Sequence, residues 1–102
     1  MQPEEVIMGE VKELTSFFSA IREDNRIGIS HVCLYMALFQ FYNLNQLRNP
    51  VNITRAAVME VAKISGLATY HKCIKDLADL GYIQYRPSYN PAIRSQVYLL
   101  KV

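Results

Sequence analysis

The segment from Ile27 to Leu44 is the strongest constraint on what this 102-residue chain can become. Read as a helix, it carries Val32, Leu34, Tyr35, Met36, Leu38, Phe39, Phe41 and Tyr42 around nearly its whole circumference. A helix that is apolar on most sides has to be covered on most sides. The stretch is almost long enough to span a membrane. It also holds Ser30, His31, Gln40 and Asn43, and amphipathic segments surround it, so it is expected to be a central buried helix rather than a membrane span. With 51% hydrophobic residues the chain has the side chains for one such core, and its length fits one fold unit.

The elements that could cover this helix follow from local patterns. Upstream, Pro3, Glu4 and Glu5 suit the first turn of a helix. Ile7, Val11, Leu14, Phe18 and Ile21 then recur at steps of four, three, four and three, a narrow seam on one face. This first helix is expected over about residues 3–24, closed by Asp24-Asn25 and Gly28. Ser30 is the expected N-cap of the apolar helix, which should run to about Asn45. Asn49-Pro50 breaks the chain, and Val51-Asn52-Ile53 reads as a short strand.

Thr54 is placed to cap a third helix with Val58, Val61 and Ile64 inward. Ser65-Gly66 interrupts it. A fourth helix should present Tyr70, Cys73, Ile74, Leu77 and Leu80 to the core and end at Gly81 in a left-handed cap. Tyr82 to Arg86 and Val97 to Leu100 are strand-forming runs around a turn at Asn90-Pro91, and predict an antiparallel hairpin.

From Thr54 onward the residues resemble the winged helix-turn-helix superfamily. The likeness lies in Ile53-Thr54-Arg55 opening the first motif helix and Ser65-Gly66-Leu67-Ala68-Thr69 at the turn. It continues in Ile74-x-x-Leu77-x-x-Leu80-Gly81-Tyr82-Ile83 leading into the wing, and covers about residues 30–101. The turn is about one residue longer than the commonest spacing. Leu34 to Gln40, Thr69 to Lys75 and Pro87 to Pro91 are further similar to small winged-helix regulators of bacterial mobile elements. The resemblance implies a mainly α fold with a small β-hairpin, a winged helix-turn-helix domain over residues 29–102, to which the seam adds an N-terminal amphipathic assembly helix over residues 1–28. It also implies sequence-specific binding of double-stranded DNA in transcription, transfer or replication control.

On that fold, helical geometry turns Thr69, His71, Lys72, Lys75, Asp76 and Asp79 outward on the recognition helix. Thr69 and Lys72 suit base edges and Lys75 suits phosphate, with His71 a further DNA-binding candidate on the same helix, while the two aspartates would repel phosphate. Arg55 is placed for phosphate. Arg86, Tyr89, Asn90, Arg94, Ser95 and Gln96 lie in or beside the wing, for backbone or minor groove. The seam Ile7, Val11, Leu14, Phe18 and Ile21 is expected to build a homodimer, and packing of that helix on its own domain is the alternative. The charge agrees: residues 1–53 sum to −2 and residues 54–102 to +4.

Other chemistries find little support. The glycines at 9, 28, 66 and 81 are scattered, and no spacing suggests a nucleophile with its base, so no enzyme is expected. His31-Val-Cys33 and His71-Lys-Cys73 fall in predicted helices, where residues two apart point about 200° apart, so neither pair can chelate one ion. No metal, cofactor or small-molecule substrate is expected. No export signal is recognisable and two cysteines make no disulfide framework, which points to the cytoplasm and free thiols. The competing function is a winged helix that binds another protein and never touches DNA.

Overall fold

The computed structural model describes residues 14–90 and 93–100. Among them the chain forms four helices and one three-stranded antiparallel sheet. Residues 14–21 form α1. It is followed by α2 (Ile29–Leu44), β1 (Val51–Ile53), α3 (Arg55–Ala62), α4 (Leu67–Asp79), β2 (Ile83–Arg86) and β3 (Ser95–Leu99). The start expected for the first helix lies outside the described residues. Among the described residues no helix is long and apolar enough to cross a membrane.

α2 is the centre. Leu34 and Leu38 are fully buried, with Tyr35, Ala37, Phe39 and Tyr42 almost so. α3 and α4 pack on it, and β1 and β3 close a further side. α1 adds Phe17, which has no exposed surface and stacks on Tyr35 with ring centroids 3.6 Å apart. The same ring meets Tyr82 edge-on at 5.6 Å. Residues of α1 therefore share one core with residues 29–100. The seam read from the sequence runs one position away from the side chain that buries most deeply. Leu14 and Ile21 pack partly against this core, and Phe18 stays 45% exposed. Ile7 and Val11 lie outside the described residues.

Several local readings need correction. The N-cap of α2 is Gly28, not Ser30. Glycine has no side-chain acceptor, and the cap is closed from the other direction: the Gly28 N–H donates to His31 Nδ1 at 2.9 Å. Thr54 caps α3 as expected, its Oγ1 accepting from the Ala57 N–H at 3.3 Å. Val61, however, is exposed, and Ala62 takes the inward place. Four residues on from Val58 lies about 40° off its direction, three residues about 60°, and the smaller side chain lets the helices approach. The break after α3 starts at Lys63, which takes the left-handed conformation (φ 60°), while Gly66 is extended and caps α4.

The sheet is larger than the predicted hairpin. Its order is β1-β3-β2, with Val51 opposite Val97 and Tyr85 opposite Val97 from the other side. Two residues before β1, Asn49 extends the pairing with its side chain: Nδ2 donates to the Leu99 carbonyl at 2.9 Å and Oδ1 accepts the Leu99 N–H at 3.0 Å. Val51, Ile53, Ile83, Val97 and Leu99 form the buried face.

Because Phe17 lies in the common core, Phe17→Ala should destabilise the whole fold by about 3–5 kcal/mol, as for a fully buried aromatic. Chemical denaturation followed by far-UV circular dichroism reads this. A loss below about 1 kcal/mol would mean that α1 is not part of the core.

Candidate nucleic-acid interface

α4 is fixed at its inner face by Tyr70, Cys73, Ile74 and Leu77, all buried. Leu80, expected with them, is only partly covered. The helix stops at Gly81, whose φ of 87° allows the Tyr82 N–H to reach the Leu77 carbonyl (2.9 Å) and the Gly81 N–H to reach that of Ala78 (3.1 Å). This cap sends the chain directly into β2.

The outer face carries Thr69, His71, Lys72 and Lys75, all exposed. Two ion pairs run along it, Lys72 Nζ to Asp76 Oδ2 at 2.9 Å and Lys75 Nζ to Asp79 Oδ2 at 2.7 Å. Each lysine is held more firmly protonated by its carboxylate. The order of charge opposes the helix dipole. No acid lies in the first turn and no base in the last, and the aspartates crowd the end where carbonyls are already unpaired. The arrangement does little for the helix and leaves the end away from the aspartates as its positive end.

A cleft of about 580 Å³ opens beside this helix. Arg55, at the start of α3, and His71 line one side, and Tyr89, Asn90 and Arg94 of the β2–β3 loop line the other. Tyr70 lies at its base with its hydroxyl pKa pushed up to about 12, chiefly by burial. With Ser95, which also lines it, the cleft brings together six of the interface residues singled out from the sequence. Tyr89 is 93% exposed, so its ring is available to whatever enters.

Arg86 and Gln96 do not line the cleft. They are opposite one another on β2 and β3 and project from the sheet face away from Val97 and Leu99. The Arg86 guanidinium sits 5.0 Å from the centre of the Tyr98 ring, and Gln96 Nε2 donates to Asn52 Oδ1 at 3.4 Å. Ser95 is turned inward to the loop, its Oγ accepting the Ser88 N–H at 3.1 Å.

Two polar clusters escaped the sequence reading. His31 Nε2 lies 2.8 Å from Asp76 Oδ2, joining α2 to α4 across 45 positions. Asp24 receives Arg26 through Nε at 2.7 Å and Nη2 at 2.9 Å, and the Tyr82 hydroxyl at 2.8 Å. The His31–Asp76 and Tyr82–Asp24 bonds join distant segments and have no local signature; the Asp24–Arg26 pair, two residues apart, is local. Among the described residues no group of three His, Cys, Asp or Glu side chains is gathered to hold a metal ion. Cys73 is buried, which pushes its thiol up, and Cys33 is half-buried. No family model, curated protein or solved structure matches this chain.

The two carboxylates make stability depend on acid. Arg26, with Tyr82, holds Asp24 well below the usual carboxylate range, and Lys72, with His31, holds Asp76 below it. Groups lowered on folding stabilise fully above their unfolded value of about 3.9, and the contribution is lost as pH falls through the folded value. Thermal melting should therefore drop between about pH 4 and pH 2. Asp24→Asn should melt lower than wild type at pH 7, with the gap narrowing toward pH 2. A gap that stays constant over this range would show that Asp24 has no part in the acid response.

Proposed function

We propose that this chain is a winged helix-turn-helix protein that binds double-stranded DNA, with α4 as the recognition helix and the β2–β3 loop as the wing. The observation that carries the reading is the charge on α4. The helix N-terminus is free of acidic residues and Lys72 and Lys75 precede Asp76 and Asp79, so the positive potential of α4 lies ahead of its negative end even though the four charges sum to zero. The element order α2-β1-α3-α4-β2-β3 and the cleft between α4 and the loop support it. Thr69, His71 and Lys72 then face base edges in the major groove, and Arg55, Lys75 and Arg94 meet phosphate. Arg86, Gln96, Tyr89 and Asn90 add wing contacts to backbone or minor groove. A regulator or accessory factor of a bacterial mobile element, acting in the cytoplasm, is the biological role we favour.

A protein-binding role without DNA is the second reading. It is favoured by one observation, the pairing of both α4 lysines with aspartates, which lowers the net charge offered to phosphate. Fluorescence anisotropy against random duplex at increasing salt separates the two. Neutralising about four phosphates should give a slope of log K against log salt of about −3 to −4. Lys75→Ala should weaken all sequences alike, and Thr69→Ala should also relax preference at one or two base pairs of a duplex selected from a random pool. A slope near zero would favour the protein-binding role.

We further propose that two copies pair through α1, presenting their recognition helices to half-sites about 34 Å apart on a near-palindromic target. Phe18 supports this, being a half-exposed phenyl ring on a helix whose neighbour Phe17 is spent on the core. In sedimentation, wild type should run as a dimer at micromolar concentration and Phe18→Glu as a folded monomer. A monomeric wild type would leave α1 as a purely intramolecular element.

A further inference from the structure

The two lysine–aspartate pairs on α4 look alike and are built differently. Asp79 is 60% exposed, and Lys75 is its hydrogen-bond partner. Asp76 is half as exposed, and its Oδ2 accepts from both Lys72 Nζ and the His31 ring. His31 is 9% exposed at its side chain, and its other nitrogen, Nδ1, accepts the Gly28 N–H. A nitrogen that accepts a backbone proton carries none of its own, so the ring proton lies on Nε2 and is donated to Asp76. A continuous chain of donated hydrogen bonds thus runs from the α2 cap to Asp76. Lys72 is tied to a carboxylate that is itself tied to the core.

We propose that Asp76, held by His31, is a positioning residue that sets the sequence discrimination of α4 by fixing Lys72 and cancelling its pull on phosphate. This rests on the reading of α4 as the helix that meets the duplex. A free lysine follows the nearest phosphate on its flexible stem and adds affinity without regard to sequence. Lys72 bonded to an anchored carboxylate has one N–H occupied and its ammonium held in one place along the helix. Its remaining donors are then aimed at a fixed position, where a guanine O6/N7 edge pays back the approach and another base does not. The carboxylate also stands against any phosphate that comes close. Because Asp79 is not tied to the core, it supplies the same charge without this constraint on direction.

The experiment compares wild type, Asp76→Asn and Asp79→Asn on two fluorescein-labelled duplexes, one of random sequence and one selected from a random pool by wild type. Asp76→Asn should bind random duplex up to about tenfold tighter at 0.1 M salt, with a slope steeper by about 0.9, because Lys72 becomes a phosphate contact. Its preference for the selected duplex should fall about tenfold or more. Asp79→Asn should steepen the slope similarly and leave the preference within about twofold of wild type. His31→Leu should lose preference as Asp76→Asn does, and His31→Gln, which can still offer an amide N–H to Asp76, should retain it. Equal loss of preference in Asp76→Asn and Asp79→Asn, or none in Asp76→Asn, overturns the proposal while the DNA reading stands. A wild type that binds neither duplex at low salt overturns both. Should His31→Leu fail to fold, the two asparagine variants decide alone, since both aspartates lie at the surface.

Discussion

Everything in this fold answers to the solvation of α2. A sixteen-residue helix with almost no polar stripe cannot rest on a single surface. Its neighbours are arranged around it accordingly: α3 and α4 to one side, the sheet to another, and the Phe17 ring against Tyr35. The polar groups it does carry are used at its ends. His31 closes the first turn, and the chain leaves the last turn through left-handed residues at Gln46 and Leu47. Because α4 is seated on the same helix, the outer face of α4 inherits its orientation from the core. This is how a buried apolar demand comes to aim Thr69, Lys72 and Lys75 at solvent.

Electrostatics on α4 run against what the isolated helix would choose. Lysines that precede their aspartates along the helix oppose the macrodipole, and i,i+4 pairs with the base first are the weaker orientation. A sequence selected for helix stability alone would reverse them. The layout is intelligible if the N-terminal end of α4 has an anionic partner, and the neighbouring cleft, lined by Arg55 and Arg94, agrees with it.

What could be read in the sequence was governed by local physics. Thr54 before a helical run, Gly81 after one, and the alternating strands on either side of the loop are decided within a few residues, and each stands where the pattern put it. The exposed residues of α4 followed from the same helical geometry. What was not legible depends on tertiary contact. Periodicity ranks Phe18 with the seam, but the Tyr35 ring selects Phe17. The sequence marks Ser65-Gly66 as the break between the helices, but the left-handed turn falls on Lys63, at a cost of about 1 kcal/mol or more. A three-residue strand has no pattern from which to foresee its partner, so the joining of β1 to β3 was not foreseen. Nor could the His31–Asp76 bond be, since each residue reads locally as something simpler.

The Asn49 clasp on Leu99 has a consequence for how this protein ages. Its two bonds need a donor and an acceptor on the same side chain. Spontaneous deamidation to aspartate would set an anionic oxygen against the Leu99 carbonyl and unfasten that corner of the sheet. Deamidation ordinarily proceeds by attack of the next residue's backbone nitrogen on the side-chain amide. Here the next residue is Pro50, whose nitrogen has no hydrogen and is already fully substituted. The residue on which the end of the β1–β3 pairing depends is therefore followed by the one amino acid that closes this route, so the clasp is chemically durable as well as well bonded.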